Sequence, residues 1–278
     1  MPAPTTIKNV LSRAKTNIAS LDAELLLAHT LDKPRSFIHA RPETLLTDRE
    51  EDRFLQFVQR RKNSEPLAYI TGKQEFWSLT FLVNEYTLIP RPETELLVET
   101  ILTHSQDAGN KALNVLDLGT GSGCIALALA RERPRWNITA IDKSKQTLAV
   151  ARENAVMLQT DNVKFIHSDW FENVPEGNYD IIVSNPPYVA ANDPHLKNSS
   201  IAYEPDTALC AGIDGLLDIQ HIISHAKTYL APGGLLVLEY GYNQSQTVVD
   251  LLRTAEYKDI QSLTDLAGID RAVVARYF

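Results

Sequence analysis

Two short stretches of the chain combine residue types that could act on a ligand. Gly119-Thr120-Gly121-Ser122-Gly123 follows the apolar Val115-Leu116-Asp117-Leu118 and precedes the helix-forming Cys124-Ile125-Ala126-Leu127-Ala128-Leu129-Ala130. Strand, glycine turn and helix in that order let a ligand approach bare backbone at a helix N-terminus. Asp142 lies 19 positions after Gly123, near the ~20 at which a carboxylate accepts from ribose hydroxyls. The pattern therefore calls for a nucleoside, with close strand–helix packing as the plain alternative. A dinucleotide fingerprint would need a glycine where Cys124 stands, and no lysine follows to make a phosphate-binding loop.

The second stretch, Asn185-Pro186-Pro187-Tyr188, ends the strand-like Asp180-Ile181-Ile182-Val183-Ser184, and open α/β sheets carry their sites at the carboxyl ends of strands. Proline lacks an N–H and restricts its neighbour, so the Asn185 side-chain oxygen and the Pro186 carbonyl can be held as acceptors facing one substrate NH₂ group. Tyr188 can stack on a planar group. An amide or aromatic amine is a poor nucleophile because its lone pair is delocalised. Acceptors on both N–H bonds favour a pyramidal nitrogen and stabilise charge that develops only in the transition state. The competing reading is an Asx or proline turn that merely ends a strand.

The glycine run resembles the first motif of S-adenosylmethionine-dependent methyltransferases. Joined to the tetrapeptide, it resembles amino-methyltransferases of planar nitrogen: adenine-N6 DNA enzymes, guanine-N2 RNA enzymes and protein-glutamine N5 enzymes. More of the chain is similar to the last group. The helical start, Ile89-Pro90-Arg91-Pro92-Glu93-Thr94-Glu95, Tyr203-Glu204-Pro205 with Gly212, Asp214 and Gly215, and Asp265-Leu266-Ala267-Gly268-Ile269-Asp270-Arg271 all look like the HemK-type peptide chain release factor glutamine methyltransferases, the PrmC family. That resemblance spans essentially the whole chain. It implies S-adenosylmethionine held by Gly119, Thr120, Gly121, Ser122, Gly123, Asp142, Asp169, Trp170 and Asn185. It also implies glutamine held by Asn185, Pro186, Pro187 and Tyr188, and, as partner, class-1 release factors with a Gly-Gly-Gln loop. Within Ser168-Asp169-Trp170 the aromatic can pack on adenine and the carboxylate can accept from its amine, although an ordinary loop tryptophan would look the same.

These groups must be positioned by regular elements. Ile7, Val10, Leu11, Ala14 and Ile18 recur at helical spacing. A second helix is expected over Leu21 to Leu31, ending before Pro34, and a third from Thr47, whose spacing to Glu50 matches a capping box. Arg60-Arg61-Lys62 near its end reads as a solvated helix end that complements the dipole, rather than a basic contact patch. From Ala68 to Leu88 the residues favour strands, Tyr69-Ile70 and Phe76-Trp77 among them, which predicts a hairpin. Strand-like stretches then alternate with helical ones: Leu113 to Leu118, Ile138 to Ile141, Val163 to His167, Tyr179 to Ser184 and Leu235 to Tyr240. Tyr257 to Leu263 and Arg271 to Phe278 can close the sheet as an antiparallel pair.

The expected architecture is an α/β, Rossmann-like class I methyltransferase sheet with a small helical N-terminal domain. Residues 1–66 are taken as a helical substrate-docking domain, 67–90 as a linking hairpin and 91–278 as the S-adenosylmethionine-dependent domain. The rigid Pro90-Arg91-Pro92 is expected to border the cofactor pocket as well as start a helix.

Length and charge agree. With 278 residues, at about 150 per domain, two domains are the prior. Two cysteines suit a reducing compartment and exclude a disulfide scaffold. The longest apolar run, Cys124 to Ala130, is far too short to span a bilayer, and Met1 to Thr6 lacks a signal-peptide segment. A soluble cytoplasmic protein is expected. A net charge of −8 argues against gripping polyanionic backbone over a wide surface, which disfavours a nucleic-acid substrate, although DNA or RNA base methylation stays open as the alternative. His221 and His225 lack a third ligand and read as a surface pair, and Cys124 as a small packing side chain.

Overall fold

Apolar residues spaced three and four apart fold the amino-terminal segment of the computed structural model into five helices: α1 (Ile7–Ala14), α2 (Ser20–Leu31), α3 (Arg35–Ala40), α4 (Asp48–Lys62) and α5 (Leu67–Thr71). The structure describes residues 5–106, 111–197 and 200–278, so Met1 to Pro4 of the sequence-stretch read for a leader lie outside it. Met1–Lys73 and Ser199–Tyr203 make one compact unit, centred on Ile7, Val10, Leu26, Leu27, Ile38 and Phe54.

Three details differ from expectation. Helix α1 stops at Ala14 because Thr16 and Asn17 turn their side chains back to the Arg13 carbonyl, competing with helix continuation. Helix α3, begun after Pro34, was not anticipated. Tyr69 and Ile70, expected in a strand, lie in α5, where Pro66 opens the turn, Ile70 is buried and Gly72 ends it at φ 72°; burial of Ile70 outweighs β propensity. Thr47 and Glu50 form the reciprocal cap expected of them. Arg60 is paired with Glu65, and Arg61 with Asp22 at 2.6 Å, which fits a structural helix end.

Gln74–Asn198 and Glu204–Phe278 make the second unit. Strands β1 (Lys73–Phe76) and β2 (Leu79–Leu82) form a hairpin whose turn residues, Trp77 and Ser78, have φ 52° and 56°. This left-handed turn matches the twist of paired strands. It is held by Trp77, whose backbone N–H donates to Glu95 at 2.7 Å and whose indole donates to Glu132 at 2.9 Å.

The main sheet contains β3 (Asn114–Leu118), β4 (Asn137–Asp142), β5 (Val163–His167), β6 (Tyr179–Ser184), β7 (Leu230–Glu239), β8 (Lys258–Thr264) and β9 (Asp270–Tyr277) in the order β5-β4-β3-β6-β7-β9-β8. The first five are parallel neighbours, and β9 runs antiparallel to both β7 and β8. The predicted closing pair is therefore present, and the doubly wound sheet agrees with the expected class. Strand β7 starts earlier than expected because Pro232-Gly233-Gly234 are absorbed in a register shift opposite Tyr179 and Ile181.

Side chains alternate across the sheet with period two. Val115, Ile181, Val183 and Val237 pack beneath α6 (Glu95–His104), α7 (Cys124–Glu132) and α8 (Lys145–Met157). Leu116, Leu118, Ile182 and Leu236 pack beneath α9 (Leu217–Tyr229) and α10 (Ser245–Thr254). Among the described residues no helix is long and apolar enough to cross a membrane.

Candidate active site

The chain order reverses between β3 and β6, and a cleft opens there at the carboxyl ends of β3, β4 and β6. Such a switch point is where doubly wound sheets accept ligands. Gly119, Gly121 and Gly123 all take left-handed backbone, at φ 71°, 57° and 85°, but they serve different ends. A Cβ on Gly123 would lie 2.9 Å from Leu127 Cδ1 and 3.4 Å from Ala151, so this glycine allows α7 to pack. A Cβ on Gly121 would meet nothing within 4 Å; there the backbone faces the open cleft. The packing explanation thus covers one glycine and leaves the turn exposed to a ligand.

The loop is braced from below. Thr120 donates its N–H to the Ile141 carbonyl at 2.8 Å and its hydroxyl to Asp117 at 2.6 Å. Asp117 is fully buried, and desolvation pushes its carboxyl up to about 7. Asp142 ends β4, one oxygen accepting from Gly121 N–H at 3.1 Å and the other from Ser144 N–H at 2.9 Å. Burial raises its carboxyl above the usual range while these backbone donors oppose the rise. Each oxygen keeps a lone pair for a further donor.

Trp170 follows β5 in a left-handed conformation, φ 43°. Ser168 stabilises that bend by donating to the Trp170 carbonyl at 2.7 Å and accepting from Asn173 N–H at 2.9 Å. The indole N–H donates to Asp218 at 3.2 Å, and the ring lies 3.7 Å from the Cβ position of Gly119. Trp170 is therefore a fixed wall of the cleft, with the exposed Asp169 beside it. Pro90 and Arg91 also line the cleft. An ion pair from Arg91 to the buried Glu204, which also accepts from Ile89 N–H at 3.1 Å, holds Pro205, Thr207 and Ala208 along the same rim.

On the other side, Asn185 and Pro187 line the cleft, whereas Gly123, Pro186 and Tyr188 are outside its lining. The Asn185 amide Nδ2 donates to Thr94 Oγ1 at 3.0 Å, and Thr94 Oγ1 donates to Glu239 Oε2 at 2.8 Å. Tyr188 turns its hydroxyl to Glu239 Oε1 at 3.2 Å, which anchors the tip of its ring to β7. Glu239 is 2% exposed, and burial drives its carboxyl up to about 7 against the hydrogen bonds from Thr94 and Tyr188. Desolvation also raises the Tyr188 phenol. Cys124 borders the cleft with its thiol pushed up to about 12 by burial, which leaves it protonated and inert as a nucleophile near neutrality. His221 and His225 stack on one another with ring centroids 4.2 Å apart.

Sequence reasoning passed over Thr94, Asp218 and Glu239. Glu239 had a readable signal, a carboxylate closing the apolar run Leu235 to Leu238. Thr94 and Asp218 had none beyond the segments they belong to.

A doubly wound sheet with β9 reversed and a glycine turn opening on the switch-point cleft define the class I methyltransferase fold. A methyltransferase from Pyrococcus furiosus matches it with a TM-score of 0.55 at 16% identity, over 83% of this chain and 98% of that one. Residues 92–202 match the methyltransferase small domain, and residues 5–72 match the PrmC N-terminal domain. The release factor glutamine methyltransferase of Shewanella oneidensis is 42% identical over 264 residues, 95% of this chain and 91% of its own length. That of Coxiella burnetii is 45% identical over 256 residues, 92% and 91% of the two chains. The chain belongs to the release factor glutamine methyltransferase family.

Proposed function

We propose that the protein methylates the side-chain amide nitrogen, N5, of the glutamine in the Gly-Gly-Gln loop of class-1 peptide chain release factors, with S-adenosylmethionine as donor, and so modulates translation termination. The observation that carries this reading is the Asn185 amide, which gives its NH₂ to Thr94 and has its oxygen left for a substrate N–H at the mouth of the nucleoside-type cleft. Membership in the family supports the substrate class.

The residues present suit the cofactor. Open backbone at Gly121, acceptor oxygens on Asp142 and the wall of Trp170 fit an adenosine moiety, with Gly119, Thr120, Ser122 and Asp169 around it. When bound, S-adenosylmethionine supplies a methyl group on a positively charged sulfur. Asn185 Oδ1 and the Pro186 carbonyl would accept from the glutamine NH₂, hold the amide in line, and stabilise the positive charge that grows on nitrogen as the new C–N bond forms and the methyl–sulfur bond breaks, its electron pair returning to sulfur. The nitrogen would then shed one proton to solvent. Pro187 and Tyr188 keep the acceptors fixed, Tyr188 through its bond to Glu239.

The helical unit holds none of these groups, and a single glutamine side chain offers little contact area. We assign it the task of docking the release factor, in the cytoplasm where translation occurs, so that one loop is selected. Labelled S-adenosylmethionine, supplied with release factor, DNA or ribosomal RNA in separate reactions, tests the reading. Label should appear on the Gly-Gly-Gln glutamine by peptide mass spectrometry; label on a base instead would move the activity to the nucleic-acid alternative.

A further inference from the structure

Glu239 is a buried carboxylate that the steps above do not use directly. It ends β7 with both oxygens occupied, Oε2 accepting from Thr94 at 2.8 Å and Oε1 from Tyr188 at 3.2 Å. A threonine hydroxyl has one hydrogen. Once Thr94 gives it to Glu239, Thr94 can only accept from Asn185, and the partner it finds there is the NH₂ at 3.0 Å. The three side chains therefore form a row with one direction, amide to hydroxyl to carboxylate. That direction decides which end of the Asn185 amide is left for the cleft.

We propose that ionised Glu239, acting through Thr94, is the positioning group that keeps Asn185 Oδ1 facing the substrate, and that protonation of Glu239 reverses the row and switches methylation off. A neutral Glu239 can donate its own hydrogen to Thr94. The Thr94 hydrogen then turns toward Asn185, whose amide must rotate to offer oxygen inward and NH₂ outward. The outward NH₂ would confront the NH₂ of the glutamine, donor against donor, and the acceptor that makes the nitrogen nucleophilic is lost. This inference rests on the reading of Asn185 as the substrate acceptor.

The surroundings place the switch within reach. Desolvation and Glu93 ahead of α6 disfavour the charged form, while Thr94, Tyr188 and Arg271 on β9 favour it. Arg271 is itself paired with Asp265 at 2.9 Å, and Arg91 acts on Tyr188 rather than on Glu239. The balance puts ionisation at about 7.

The test is kcat on intact release factor, at saturating S-adenosylmethionine, from about pH 5.5 to about pH 8.5. Wild type should lose about tenfold in kcat for each pH unit below the ionisation. Glu239→Gln cannot ionise, yet its carbonyl can still accept from Thr94. It should give a flat profile and keep kcat within about tenfold of wild type at the alkaline end. Thr94→Ser should retain the wild-type profile, and Thr94→Val should lose about a hundredfold in kcat while cofactor affinity, the folding control, stays within about threefold. If Glu239→Gln keeps the acid limb, or Thr94→Val turns over like wild type, the proposal is overturned. Asn185→Ala separates the two levels. An inactive Asn185→Ala beside an unchanged acid limb in Glu239→Gln removes only the switch; an active Asn185→Ala removes the reading beneath it.

Discussion

Two acids of the helical unit and four around the floor and walls of the cleft are treated in opposite ways, Glu204 on the rim, paired with Arg91, being the cleft acid that follows the first pattern. In the helical unit Glu24 is met by Lys15 at 2.8 Å, with Arg35 and His39 each at 3.1 Å, and the hydrogen bond from Lys15 leads in holding its carboxyl below the usual range. Glu51 is lowered in the same way by Arg13. Around the cleft Asp117, Asp142, Asp218 and Glu239 are all raised, with desolvation as the largest cause, and among the described residues none has an ion-pair partner. Their oxygens accept from backbone N–H, hydroxyl or indole groups instead. Paired acids favour the fold; desolvated acids oppose it and persist where their acceptor atoms are needed. The difference separates a region that is built for stability from one that is built for a ligand.

If the cleft acceptors exist for chemistry, removing the one nearest the reaction should have the largest consequence. Asn185→Ala is expected to lose on the order of 3 kcal/mol of transition-state stabilisation, about 150-fold in kcat/KM, with cofactor affinity falling far less. Steady-state kinetics beside calorimetry of S-adenosylmethionine binding would check it; equal losses in both would recast Asn185 as a cofactor contact. Asp142 should act on the other half. S-adenosylmethionine should raise the melting temperature by mass action while NAD leaves it unchanged, and Asp142→Ala should weaken cofactor binding by about 2 kcal/mol. A full thermal shift in that variant would take Asp142 out of the site.

The halves of the cleft were unequally legible beforehand. Gly119 to Gly123, Asp142 and Asn185 to Tyr188 stand out because special residues sit at short spacings on strand ends, where local chemistry and position coincide. The parallel strands were readable from their apolar runs. The bracing groups were not, because their partners are remote in sequence: Thr94 meets Glu239 across 145 positions, Arg91 meets Glu204 across 113, and Trp170 meets Asp218 across 48. Nothing local in Thr94 announces a buried carboxylate partner. The partner of Tyr188 was hidden for the same reason. The Tyr188 ring is suited to stacking, and the Glu239 oxygen that captures its hydroxyl is supplied by another strand. In Tyr69-Ile70, β propensity pointed the wrong way because burial against distant helices decided the outcome.

The contrast between the two sets of acids also makes a prediction about stability, with smaller energies. The Glu239 carboxyl rises from an ordinary 4.5 to about 7 in the folded state. A raised carboxyl favours the fold most at pH values below its unfolded pKa, and that advantage is lost as pH rises through the folded value. Glu239→Gln should therefore gain on wild type progressively between these two values, reaching roughly 1–2 kcal/mol above the upper one after the weaker hydrogen bonds of the amide are allowed for. All three tryptophans, Trp77, Trp136 and Trp170, lie in the sheet unit, so denaturant midpoints followed by their fluorescence report on this change. Glu24 should behave with the reverse sign and in a different window. Its carboxyl is lowered from 4.5, so its contribution is complete above that value and disappears as pH falls through the lowered one. Glu24→Gln should cost about 1 kcal/mol at neutral pH and nothing in strong acid, read by circular dichroism of the helices because that unit has no tryptophan. Opposite signs in the two variants at neutral to alkaline pH are what the division of acids requires. A loss of stability in both would mean that Glu239 is an ordinary structural acid whose hydrogen bonds outweigh its desolvation, and the cleft would lose its distinction from the helical unit.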